Sequence, residues 1–135
     1  MRRLLTQLFL VFVVITGTAA PTAWQPLADA LKQPQKAQFI EINAESDELL
    51  QFRNNMKRFT ALQGLKISGT TAAEPCNGLF RELAAMPQLQ TLDLSFNDFT
   101  VMPEALRGLQ QLKHLAVWGN ETMDYDDFFK KAVSL

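Results

Sequence analysis

A nine-residue pattern occurs twice in this chain, at an offset of 23 residues, and nothing else in the sequence restricts the fold as strongly. Leu89, Leu92, Leu94 and Asn97 define the first copy; Leu112, Leu115, Val117 and Asn120 define the second. The connecting segments keep the same phase, since Leu83 and Met86 precede the first copy as Leu106 and Leu109 precede the second. At the centre of each copy apolar residues alternate with others, the period of a strand with one buried face. One turn of chain cannot bury that face by itself. Stacked turns can, and at least about three are needed.

Two worn copies precede the clear ones. Ala37, Ile40, Ile42 and Glu45 occupy the key positions of one, and Leu62, Leu65, Ile67 and Thr70 those of the next. The interval from Ile40 to Leu65 is 25 residues, and from Leu65 to Leu92 it is 27. The longer interval places extra residues within 72–78, where Pro75, Cys76, Asn77 and Gly78 read as a surface turn. Stacking the copies in register puts four short strands in parallel, about 4.8 Å apart. Their outward residues then form columns: Phe39, Gly64, Thr91 and His114; Glu41, Lys66, Asp93 and Ala116; Asn43, Ser68, Ser95 and Trp118; and, beside the turn, Ala44, Gly69, Phe96 and Gly119. The Asn side chain at the end of each good copy carries both donor and acceptor groups for backbone left facing the interior. Glu45 and Thr70 depart from that pattern, which predicts a weaker ladder toward the N-terminus.

The L-x-x-L-x-L-x-x-N core, its spacing and the matched link resemble the leucine-rich repeat family, whose repeats run to 20–29 residues. The resemblance covers Ala37 to Asn120. It implies an α/β solenoid, with a short parallel sheet of about four strands on the concave face and helices or turns on the convex face. It also implies a module that binds proteins through the concave sheet, with no catalytic role and no cofactor. Glu41, Lys66, Asp93, Phe96, His114 and Trp118 are the expected contact residues. Phe96 and Trp118 stand out because aromatics with polar neighbours make interface anchors. Packing of Trp118 beneath a C-terminal helix is the competing role. A structural envelope component, or the N-terminal part of a longer repeat protein, is the alternative function.

The flanks are expected to cap the solenoid, because a terminal repeat otherwise exposes an apolar face. Residues 21–36 read as an N-terminal cap or degenerate repeat. Within them, Pro26 opens a short helix carrying Leu27, Ala30 and Leu31, and Pro34 ends it. Ser46 caps a second helix, whose Leu49, Phe52, Met56 and Phe59 recur at helical spacing. Residues 121–135 read as a capping helix started by Thr122 or Asp124, with Tyr125, Phe128, Phe129, Ala132 and Val133 on its apolar face. Acidic Asp124, Asp126 and Asp127 lack the glycine and distal glutamate of a calcium loop, and suit a helix start instead.

Residues 1–20 have the layout of a secretory signal peptide: Arg2 and Arg3, an apolar stretch from Leu4 to Ile15, then small residues through Ala20. The apolar stretch is shorter than the roughly 20 residues of a membrane span, although an uncleaved anchor is the other reading. Cleavage after Ala19 or Ala20 would remove two positive charges from a chain of net charge −1. That balance gives no electrostatic reason to expect nucleic acid or an anionic membrane as partner. Cys76 and His114 are single, which leaves no cysteine- or histidine-rich metal cluster and no intrachain disulfide. Extracellular animal and plant members of the family usually carry paired-cysteine caps. Their absence points to a bacterial exported protein, secreted or periplasmic. A monomer is expected.

Overall fold

A computed structural model describes residues 12–14, 23–69, 74–101 and 104–132. Thr70, Val133 and all of the expected leader except 12–14 lie outside the described residues. The chain folds as a mixed α/β solenoid built on one sheet. Its strands are β1 (Phe12–Val14), β2 (Gln25–Pro26), β3 (Phe39–Asn43), β4 (Gly64–Ser68), β5 (Thr91–Asp93) and β6 (His114–Ala116). The spatial order is β1-β6-β5-β4-β3-β2. Strands β2 to β6 are parallel and in chain order, while β1 pairs antiparallel with β6.

The register is the one that the repeat spacing requires. Ile40 pairs with Leu65, Leu65 with Leu92, and Leu92 with Leu115. A slip of one residue would turn each apolar set to solvent, so burial of one face fixes the pairing. Ala37, Ile40, Ile42, Leu62, Leu65, Ile67, Leu89, Leu92, Leu94, Leu112, Leu115 and Val117 all face the interior and are buried. The convex side closes the core with Phe52, Phe59, Phe80, Phe99 and Phe128, and the Phe52 and Phe59 rings stack at 5.4 Å. Each such side chain contributes about 1.5–3 kcal/mol through removal from water.

Two elements differ from the sequence expectation. The four expected strands are preceded by β2, where Gln25 pairs with Ile40 and Pro26 with Glu41. A proline that cannot donate to a ladder hides so short an edge strand from a sequence pattern. Of the turn expected over 72–78, the described residues 74–78 are instead the start of helix α3 (Glu74–Leu83). Pro75 sits in its first turn, where a missing N–H costs nothing, and Gly78 leaves room for the Arg53 guanidinium to pass 3.3 Å from where a Cβ would stand. Arg53 comes from helix α2 (Glu48–Asn55) and forms a two-pronged pair with Glu82, at 2.7 and 3.1 Å. The hydrogen bond from Arg53 holds the Glu82 carboxyl below its ordinary range.

The caps are built from local polar bonds. Helix α1 (Leu27–Ala30) buries Leu27 and Ala30, and Pro34 then starts a 3-10 turn, Pro34–Lys36, rather than simply ending the helix. Ser46 Oγ accepts the Glu48 N–H at the start of α2. Asp124 starts helix α4 (Tyr125–Ala132): its Oδ1 accepts the Asp127 N–H at 3.0 Å, so this carboxylate serves the helix start. Phe128 and Met123 are buried against the last turn, and Tyr125 Oη donates toward the Val117 and Asn120 carbonyls. Burial pushes the Tyr125 hydroxyl above its usual pKa.

The asparagine ladder joins neighbouring turns. Asn97 Nδ2 donates to the carbonyls of Ile67 at 2.8 Å and Leu94 at 2.9 Å. Asn120 Nδ2 repeats this with Leu94 at 2.9 Å and Val117 at 2.7 Å, and its Oδ1 accepts the Phe99 N–H. Both side chains are buried. At the worn copy the solution differs. Glu45 is exposed rather than turned inward; Asn43 Oδ1 accepts the Glu45 N–H, and Glu48 Oε2 accepts the Asn43 N–H. Replacing Asn120 by Ala strands two carbonyls and one N–H, so Asn120→Ala should destabilise the fold by about 2–4 kcal/mol in urea unfolding. A loss under about 0.5 kcal/mol would show that the ladder is not structural.

Candidate protein-binding surface

The outward columns form as the repeat register requires. Phe39, Gly64, Thr91 and His114 are paired neighbours across four strands, as are Glu41, Lys66, Asp93 and Ala116. Asn43 pairs with Ser68. Past the ends of β5 and β6 the ladder continues, with the Phe96 N–H donating to the Trp118 carbonyl at 2.8 Å. That bond brings the third and fourth columns side by side at the C-terminal end of the sheet.

Accessibility divides the six expected contact residues. Phe96 is 59% exposed and Trp118 is 38% exposed. Glu41, Lys66 and Asp93 are partly exposed and lie in one row. His114 occupies its column position but is only 5% exposed. The expectation that His114 is an accessible contact residue is therefore corrected: β1 lies beside β6, with Val14 opposite His114, so β6 is an internal strand. Its column neighbour Thr91 is covered as well. Ser95, expected to face outward, is also buried, and its N–H donates to Asp93 Oδ1 at 2.9 Å.

The aromatic pair has a backbone signature. Gly69 and Gly119 have φ of +73° and +71°, and Phe96, at the same repeat position, has φ of +57°. The turns after β4, β5 and β6 leave their strands through the left-handed region, which glycine enters freely and a bulky side chain does not. Phe96 therefore holds a conformation costing on the order of 1 kcal/mol. Its ring packs edge-on against Trp118, with centroids 4.0 Å apart and planes at 68°. A Cβ on Gly119 would stand 2.6 Å from the Phe96 ring, so the glycine of the last turn makes space for the aromatic of the turn before. Trp118 contacts this ring and remains accessible, in contrast to a residue buried beneath the terminal helix.

The charges of the face are unevenly matched. Lys66 faces Glu41 at 3.7 Å. Asp93 has no cationic partner among the described residues. Asp98 and Glu121 occupy equivalent repeat positions, two residues beyond Phe96 and three beyond Trp118, and both are exposed without an ion pair among the described residues. These two carboxylates are not among the expected contact residues, although their 23-residue offset is a signal in the sequence. A separate groove of about 630 Å³, lined by Met56, Phe59, Met86 and the Arg53–Glu82 pair, lies on the convex side and includes none of the six residues. Among the described residues no cluster of histidine, cysteine or carboxylate side chains is placed to hold a metal, and no helix is long and apolar enough to cross a membrane.

In-register parallel strands, an inward leucine set and an asparagine ladder define a leucine-rich-repeat-like fold. No protein-family model matches the sequence, and no curated protein matches it. Among solved structures, the chain is similar to a leucine-rich repeat protein of Leptospira interrogans, with 26% identity over 71% of this chain and a TM-score of 0.49. The chain spans only 24% of the length of that protein.

The left-handed position makes a stability prediction. Glycine relieves the strain that alanine would keep, so Phe96→Gly should be more stable than Phe96→Ala by about 1 kcal/mol. Thermal and urea melts of the two variants check this; equal stability would remove the strain assignment.

Proposed function

We propose that this chain is an exported, non-catalytic module that binds a protein partner through the concave face of its repeats, acting as a monomer. The accessible Phe96–Trp118 pair supports this reading above all. A large aromatic held outward at an energetic cost is poorly explained by folding alone. Interface hot spots favour such anchors, surrounded by polar groups that frame the contact. Glu41, Lys66 and Asp93 supply that polar row along the sheet. His114 joins the surface only in a form of the chain lacking β1.

Export rests on the basic, apolar and small-residue order of residues 1–20, and periplasm or cell surface is the proposed destination. Cleavage after Ala19 or Ala20 would remove β1 and return His114 to a sheet edge. The reading is tested on the exported chain. Mass spectrometry should find it starting at Ala20 or Pro21, and light scattering should find one chain per particle. The purified chain should capture a partner from the native envelope, and the Phe96→Gly/Trp118→Ala variant should lose that capture while its melt shifts little. Full-length chain retained in the cytoplasm would contradict export, and undiminished capture by the variant would contradict the concave face.

A further inference from the structure

Resting on the concave-face reading, we infer that the aromatic pair and its carboxylates form a receptor for a guanidinium group, so that the partner presents an arginine side chain here. The charge balance points this way. Within the second column Lys66 is matched by Glu41, which leaves Asp93 without an ion pair among the described residues. Asp98 and Glu121 add two more exposed carboxylates at equivalent positions of the last two repeats. A partner burying this patch must bring positive charge, because an unpaired carboxylate taken from water is costly.

The geometry selects arginine among cations. Asp93 pairs with Ala116, and Trp118 lies two residues further along that chain, so Asp93 and Trp118 stand diagonally on one face. Such diagonal neighbours are roughly 7–8 Å apart, within reach of one long side chain. A planar guanidinium can stack on an indole face and still direct N–H groups at a carboxylate; a lysine ammonium cannot do both in a fixed fork. Phe96 meets Trp118 edge-on, which fixes the indole for that stacking. Asp93 Oδ1 already accepts the Ser95 N–H, so the carboxylate is oriented before any partner arrives.

The test uses a synthetic peptide, acetyl-Gly-Arg-Gly-Arg-Gly-amide, with citrulline and lysine counterparts, titrated into the purified chain while the Trp118 indole N–H is followed by NMR. The arginine peptide should give a saturable shift that weakens with added salt. The citrulline peptide should bind at least about tenfold more weakly, and lysine should fall between them. Asp93→Asn keeps an oxygen for the Ser95 N–H, so this variant should stay folded and lose about tenfold in affinity. Asp98→Asn/Glu121→Gln should reduce it further. Equal response to arginine and citrulline, or unchanged affinity in the charge variants, overturns the inference. Envelope capture that depends on Trp118 but not on these charges would also overturn it, while leaving the concave-face reading in place.

Discussion

Every turn of this solenoid must leave its strand sharply and still satisfy the backbone that it turns inward. In the last two turns that constraint is met by the buried side-chain amides of Asn97 and Asn120, each joining its own turn to the one before. An unsatisfied carbonyl at such a position costs about 1–3 kcal/mol, comparable with burying a leucine. The leucines supply a non-directional drive to stack turns. The asparagines supply direction, since an amide bridging two turns accepts only one register. The outward columns exist because that register is fixed.

The same turn explains where the proposed binding surface stands. One residue before the asparagine position of the last three repeats, the chain passes through the left-handed region, at Gly69, Phe96 and Gly119. Two of these positions use glycine, and the third carries the most exposed aromatic of the sheet face. The scaffold absorbs that strain because the Asn97 bonds hold the turn on either side of it. Trp118 is then positioned by the next turn, whose glycine removes the atom that would collide with the Phe96 ring. Scaffold and aromatic pair are thus two products of one turn.

Much of the fold was legible in the sequence because it is carried by periodic apolar residues, whose burial dictates the register of Ile40, Leu65, Leu92 and Leu115. The rest was hidden for identifiable reasons. A two-residue strand at Pro26 has no period to detect. Pro75 and Gly78 resemble turn residues, yet a helix accepts proline in its first turn and glycine where an arginine crosses. At the site, the columns were readable but accessibility was not. His114, Thr91 and Ser95 hold the outward positions and are nonetheless covered, because exposure depends on what lies beside a strand as well as on its pleat. The left-handed φ of Phe96 follows from alignment with Gly69 and Gly119, a clue present in the sequence and visible only once the register is trusted.

The central claim is that buried asparagine amides tie successive turns together and so fix the face that carries Phe96 and Trp118. Hydrogen exchange of the Asn97 and Asn120 side-chain N–H groups, followed by NMR on the intact chain, tests it most directly. Exchange as slow as that of the core strand amides around Ile67 and Leu92 is the predicted result. Exchange at the rate of a solvent-exposed amide side chain would contradict it.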